Sequence, residues 1–305
     1  MRATLEELLL RAVRLYTFHT PIQKGKFRPF LAAMSLCREF HREMPVRLRD
    51  GRRFVADLTT GMENTVYFHG EYEPSLTAIT SVLVTSGDVC IDVGANFGWY
   101  TTLLMKLAGP SGSVYAFEPV PSFFSALKRN VGLNSESARV TLNQTALGDQ
   151  RGMVNVHIFA DIPSGHASFS PRKAAVVQTV ECQVITLDEY LETNEIQHVD
   201  FVKVDVEGAE MMFLKGASRL FEQERLPIIL MEMARETTEH FGYLPNELVN
   251  YIAVRREYEF YAVDEPRGTV YQIDGFADEE IGANVFCVPR DSSRRDVIRD
   301  FLPNR

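Results

Sequence analysis

The sequence predicts an α/β fold built on a doubly wound, mostly parallel sheet. Short apolar runs such as Val89–Val93, Ser113–Phe117, Val199–Val204 and Pro227–Met231 alternate with segments of helical spacing. Continuous rather than alternating apolar strands indicate a sheet covered on both faces. A glycine-rich turn, Gly94–Gly98, follows the first run and opens a helix. Charged residues gather just beyond the ends of the strands, where open parallel sheets bind ligands.

In chain order, Thr4–Tyr16 places Leu5, Leu8, Leu9, Val13 and Tyr16 at helical spacing, and Phe30–Phe40 predicts a second helix. Val46–Leu48, Asp50-Gly51 and Phe54–Leu58 predict a hairpin, since Asp-Gly favours the left-handed turn. These segments make residues 1–80 a helical and hairpin lead-in to a sheet domain over 81–305. Helices are expected over Trp99–Leu107, Pro121–Asn130, Thr186–Glu192, Ala209–Glu222 and Asn246–Arg256. Val140–Asn143 supplies a third strand, and Val154–Phe159 and Val176–Ile185 are added strands around a Gly/Ser/Pro loop. Glu259–Val263 and Asn284–Val288 close the chain with no helix between them, so the last strand of a seven-stranded sheet is expected to be antiparallel.

Composition narrows the class. The chain has 305 residues, 45% hydrophobic and 24% charged, which suits one large domain with an appendage. No run approaches the ~18 apolar residues of a membrane span; the richest, Leu226–Ala234, is interrupted by Glu232. Glu6 and Glu7 precede Leu8–Leu10 and no small-residue cleavage site follows, which argues against a signal peptide. Cys37, Cys90, Cys182 and Cys287 form no C-x-x-C pair and read as reduced, mostly buried thiols of a cytoplasmic protein. The net charge is −9, yet residues 1–53 hold 12 Lys/Arg against 5 Asp/Glu. That basic segment is either a solvated face or a contact with anionic lipid, a phosphorylated substrate or the acidic body. The acidic body and the lack of a binding motif disfavour nucleic acid.

The strand ends nominate the chemistry. Gly94 and Gly98 in Asp92-Val93-Gly94-Ala95-Asn96-Phe97-Gly98 would let a ligand approach the backbone closely. The G-x-x-x-G spacing departs from the dinucleotide fingerprint, and a plain tight turn is the alternative. Glu118, after the second strand, lies 20 positions beyond Gly98 and could accept hydrogen bonds from ribose hydroxyls. Asp149 could accept from an adenine amino group or simply shape a turn. Lys203, Asp205 and Glu207 cluster where the fourth strand ends, either as a functional group or as an internal ion pair before an acid-favouring helix start. Glu232 adds a carboxylate after the fifth strand.

With these residues in view, the chain resembles the FkbM-family methyltransferases. Asp92–Gly98 with Tyr100-Thr101, Phe117-Glu118-Pro119, Ala146–Asp149, and Lys203–Glu210 followed by Leu214-Lys215-Gly216 carry the likeness. Tyr67–Pro74 matches the family's lead-in, and the similarity runs from about Val46 to Pro289. The resemblance implies a class I methyltransferase (Rossmann-like) fold and S-adenosyl-L-methionine as donor. It also implies O-methylation, often on a sugar, glycolipid or secondary metabolite. Asp92, Gly94, Asn96, Gly98, Tyr100, Thr101, Glu118 and Asp149 then become donor-site candidates. Glu71, Tyr72 and Glu73 either line the donor's methionine end or cap a helix at Pro74.

Methyl transfer from a sulfonium to a hydroxyl needs alignment and removal of a proton. Asp205 is the first candidate beside the reacting oxygen and His166, in a loop, the second, with Glu207 and Lys203 in support. Asp205 and Glu232 lack a histidine at ligand spacing, so no metal site is assigned. The Asn/Asp-Pro-Pro-aromatic motif of many amino-group methyltransferases is absent, which disfavours a nitrogen acceptor. The competing readings are an N-methyltransferase, a nicotinamide-dependent oxidoreductase and a non-catalytic donor-binding scaffold.

Overall fold

The computed structural model describes residues 5–19, 43–134, 138–159, 167–168, 176–277 and 279–303. Cys37, the helix expected over 30–40, His166 and most of its loop lie outside the described residues. The chain divides into two compact units, with the boundary between Tyr72 and Glu73.

In the first unit, helix α1 (Leu5–His19) is followed by β1 (Glu43–Arg47), β2 (Arg53–Asp57) and α2 (Gly61–His69). The hairpin β1–β2 is antiparallel, with Val46 opposite Phe54. Alternation buries Met44, Val46, Phe54 and Ala56 on one face. Thr60 caps α2 by accepting from the Glu63 N–H at 3.1 Å. This helix was not foreseen, although Thr60-x-x-Glu63 is a capping signature.

The second unit opens with α3 (Pro74–Leu83), β3 (Val89–Val93), α4 (Trp99–Ala108), β4 (Ser113–Phe117), α5 (Pro121–Gly132) and β5 (Arg139–Asn143). Next come β6 (Ala146–Leu147), β7 (Gly152–Phe159), β8 (Ala167–Ser168), β9 (Val176–Ile185), α6 (Leu187–Thr193), β10 (Phe201–Val204) and α7 (Glu210–Lys215). The remainder is β11 (Ile228–Ala234), α8 (Arg235–Thr238), α9 (Pro245–Ala253), β12 (Tyr258–Asp264), β13 (Thr269–Ile273), β14 (Gly282–Pro289) and α10 (Arg295–Arg299). The main sheet has the order β13-β12-β14-β11-β10-β3-β4-β5. Strands β11, β10, β3, β4 and β5 run parallel. β14 is antiparallel to β11, as the sequence indicates. This is the doubly wound, Rossmann-like arrangement, and its strand order reverses between β3 and β10.

Two details differ from the sequence reading. An eighth strand, β13, pairs antiparallel with β12 at the sheet edge. It is short and mostly solvent-facing, so it lacks the continuous apolar run that marks the buried strands. The expected helix Ala209–Glu222 stops at Lys215, and a 3-10 turn, Ser218–Phe221, follows Gly216. Gly216 packs so closely on the Gly148 carbonyl that a Cβ would stand 1.9 Å from it. The added strands form a second sheet of order β6-β9-β7-β8.

The core lies where the central strands meet their helices, with Ile91, Val202, Ile229, Phe213 and Leu248 buried in one cluster. Each such side chain contributes about 1.5–3 kcal/mol of burial. Every residue of β10 is buried, including Lys203. A charge inside a central strand is costly unless paired, which directs attention to its partners.

Candidate active site

The turn after β3 is held open by its backbone. Gly94, Asn96 and Gly98 have φ of 79°, 50° and 94°, in the left-handed region. The N–H groups of Gly94 and Ala95 both donate to the Phe117 carbonyl at 3.0 Å, tying the turn to the end of β4. A Cβ on Gly94 would stand 1.9 Å from the Asp205 carbonyl oxygen. Only glycine fits between these two strand ends.

Glu118 lies just past β4 and is 4% exposed. One carboxylate oxygen accepts from the Asn96 N–H at 2.9 Å and the other from the Val120 N–H at 2.8 Å. Burial pushes its pKa up to about 7, against the pull of those two N–H groups. The Glu118 N–H donates to the Asn143 carbonyl at 3.0 Å, so β5 helps position it.

Beside this turn, Lys203 and Asp92 occupy register-matched positions on β10 and β3. Lys203 Nζ lies 2.6 Å from Asp205 Oδ2 and 4.9 Å from the centroid of the Tyr100 ring. Burial opposes the ammonium, but Asp205, Glu73 and Asp92 outweigh it and hold its pKa above the ordinary value. Asp92 is 1% exposed and accepts from the Thr101 hydroxyl at 2.5 Å. Its second oxygen is buried without a hydrogen-bond partner. Burial raises the Asp92 pKa, and Lys203 and Thr101 pull it back. Glu73 has φ 45° and provides no side-chain cap to α3. Its carboxylate instead accepts from the Tyr100 hydroxyl at 2.7 Å. Burial raises the Glu73 pKa, opposed by Lys203.

Strand β10 ends at Val204, so alternation does not extend to Glu207, which lies close enough to Glu232 to act on it together with Asp205. Glu207 adopts φ 55° and Gly208 φ 104°, and the chain turns sharply there. Glu210, fully buried, accepts from the N–H groups of Val206 and Gly208 at 3.2 Å each. The Tyr243 hydroxyl lies 2.7 Å from the Gly208 carbonyl and 3.1 Å from Glu210. Burial brings the Glu210 pKa to about 7. Glu232, past Asp205 on the next strand, has one buried carboxylate oxygen without a hydrogen-bond partner. Burial, then Asp205, Glu207 and Glu210, hold its pKa well above the carboxylate range.

The structure therefore brings Glu73, Asp92, Gly94, Asn96, Gly98, Tyr100, Thr101, Glu118, Lys203 and Asp205 together at the carboxyl ends of the central strands. Asp149 is exposed in the turn after β6, with its Cα 3.3 Å from where a Gly216 Cβ would be. Sequence reasoning missed the Glu210–Tyr243 pair and Asn143. The acid in the first turn of α7 was a usable signal for Glu210. Tyr243 had none, since a contact 33 residues away leaves no local pattern. Among the described residues, no group of three or more His, Cys, Asp or Glu is arranged to hold a metal ion. Cys90, Cys182 and Cys287 are buried free thiols, and no described helix is long and apolar enough to cross a membrane.

Three curated relatives share this region. A methyltransferase of Beauveria bassiana is 30% identical, with 41% of this chain and 57% of that protein covered. The 31-O-demethyl-FK506 methyltransferase of Streptomyces tacrolimicus is 29% identical over 43% of this chain and 59% of its own length. A hexuronic acid methyltransferase of Haloferax volcanii is 30% identical over 47% and 55%. The chain thus spans less than two thirds of the length of each. The model of the methyltransferase FkbM domain matches residues 92–260. That match covers more than half of the chain and runs from Asp92 through the Gly94 turn, Glu118 and Lys203 to Glu232; the chain belongs to the FkbM methyltransferase domain family.

Proposed function

We infer that the chain transfers a methyl group from S-adenosylmethionine to a hydroxyl of a small molecule, sugar or glycolipid. The observation that carries this reading is Glu118, a buried carboxylate fixed above a turn with no room for a side chain at Gly94. The buried Glu118 carboxylate and the orphaned Asp92 oxygen, at the ends of neighbouring strands, fit a ligand with a ribose and a polar tail. Glu118 would hold the ribose hydroxyls, and the backbone of Gly94–Gly98 would pass beside the nucleoside. Asp92, Thr101, Tyr100 and Glu73 would receive the amino-acid end, whose ammonium suits their carboxylates.

The donor, when bound, supplies an electrophilic methyl on a sulfonium. The chain's own contribution is alignment. Asp205, held by Lys203 at 2.6 Å, orients the acceptor hydroxyl by accepting its hydrogen bond. The Glu210–Tyr243 pair pins the turn that carries Asp205. The names of the Streptomyces and Haloferax relatives point to a secondary metabolite and a sugar acid, which supports oxygen as the acceptor atom. The test is mass spectrometry of extractable glycans and metabolites from cells with and without the gene. A compound lighter by one CH2 in the deleted strain supports methyl transfer; identical profiles, with no donor binding to the purified chain, count against it.

A further inference from the structure

The side of α1 that faces away from its own unit is apolar. Leu10, Val13, Arg14 and Thr17 form the inner stripe at i, i+3, i+4 and i+7, and Leu10 and Thr17 are only 3% and 2% exposed. Arg14 donates to the backbone carbonyls of Tyr67 at 2.7 Å and Arg47 at 3.1 Å. The Thr17 hydroxyl donates to the Phe68 carbonyl. On the opposite side of the helix stand Leu8, Ala12 and Leu15, with Leu9 and Tyr16 along one flank and Arg11 along the other. Leu8, Leu9, Leu15 and Tyr16 are 54%, 47%, 61% and 42% exposed. A helix on the surface of a water-soluble protein carries charged residues on that face, and this one carries leucines.

We propose that this face of α1 lies in the surface of an anionic lipid bilayer. Glu6, Glu7, Arg11 and Arg14 within the described helix are too many charges for a membrane span, so it would lie in the interface plane. Charge selects the partner. Residues 1–53 hold 12 Lys/Arg against 5 Asp/Glu in a chain of net charge −9. The same unit exposes Arg47, Arg49 and Arg53, and Arg49 donates to the Phe18 carbonyl at the end of the helix. Leucines for the acyl boundary, with Arg11 on the flank of the same helix and Arg49 at its end to meet phosphate groups, are the composition of an interfacial helix. The inference is independent of the methyl acceptor.

The experiment is co-sedimentation of the full chain with vesicles of phosphatidylcholine alone and of phosphatidylcholine mixed with phosphatidylglycerol. Leu8→Gln/Leu15→Gln is the variant, with circular dichroism to check its fold and light scattering to count subunits. The full chain is expected to pellet with the mixed vesicles and to be released by salt. The double variant should bind them on the order of tenfold more weakly or worse, because two exposed leucines lose their burial. Either of two results overturns the proposal: a chain that stays in the supernatant with both vesicles, or a variant that pellets as well as the parent. A variant that turns a dimer into a monomer without changing vesicle binding assigns the face to a second copy instead.

Discussion

Gly94 and Asp205 meet backbone to backbone, with the Asp205 carbonyl oxygen 1.9 Å from where a Gly94 Cβ would stand. The Asp205 N–H also donates to the Val93 carbonyl at 3.1 Å. The Gly94 turn and the segment that carries Asp205 are therefore tied backbone to backbone, at the point where the strand order reverses.

Gly94→Ala tests that contact. The left-handed φ alone costs about 1–2 kcal/mol for a residue with a Cβ, before any collision. Thermal melting should show Tm lower by at least ~3 °C, and calorimetry should show donor binding lost. A variant with parental Tm and affinity would mean the turn is looser than described.

The carboxyl of Glu118 supplies a pH signature. Burial holds its pKa at about 7 against an ordinary 4.5, so the folded chain binds more protons than the unfolded chain between those values. Stability is then lost as pH rises through that window, by on the order of 3 kcal/mol from this group. Glu118→Gln removes the titration, so its stability should fall less between pH ~5 and ~8 in denaturant melts. Donor affinity should move the other way, weakening up to ~tenfold per pH unit on acidification below the pKa, because ribose hydroxyls favour the ionised acceptor.

Asp205→Asn keeps the shape and removes the charge. Donor affinity should survive, while turnover at saturating donor falls by ~10²-fold, once an acceptor is in hand. Lys203→Met should behave differently. It leaves Asp92, Glu73 and Asp205 without their shared cation and costs about 3–5 kcal/mol of stability, read in denaturant unfolding. Equal effects of the two variants on stability would separate Lys203 from the cluster.

Tyr243→Phe removes the hydroxyl at the Gly208 carbonyl and should cost about 1–3 kcal/mol. Turnover should drop with little change in donor affinity, since the turn that carries Asp205 is loosened and the Glu118 site is not. A loss of donor affinity without a loss of stability would contradict that division.

Much of the site was legible because parallel sheets gather function at strand ends, and Gly94, Glu118, Lys203 and Asp205 all sit there. Register then decided what sequence could not. Asp92 and Lys203 face the same side only because β3 and β10 pair Asp92 with Lys203. Glu73 read either as lining the donor's methionine end or as a helix cap; it makes no side-chain cap, and its carboxylate meets the Tyr100 hydroxyl. The helix expected over 209–222 ends at Lys215 with Gly216 as its C-cap, a local stop that the apolar spacing beyond it hides. Strand β13 escaped because an edge strand with one wet face carries a weak apolar signal.

The most direct test of the account is calorimetric titration of S-adenosylmethionine into the parent chain and into Glu118→Ala, with NAD as the control ligand. Each hydrogen bond to the carboxylate is worth about 1.5–3 kcal/mol, so the loss of one or two should weaken donor binding by at least ~tenfold. NAD should give no heat of binding in either protein. An Ala variant that binds the donor as tightly as the parent, or a parent that binds NAD in preference, would contradict the assignment of these strand ends as a methyl-donor site.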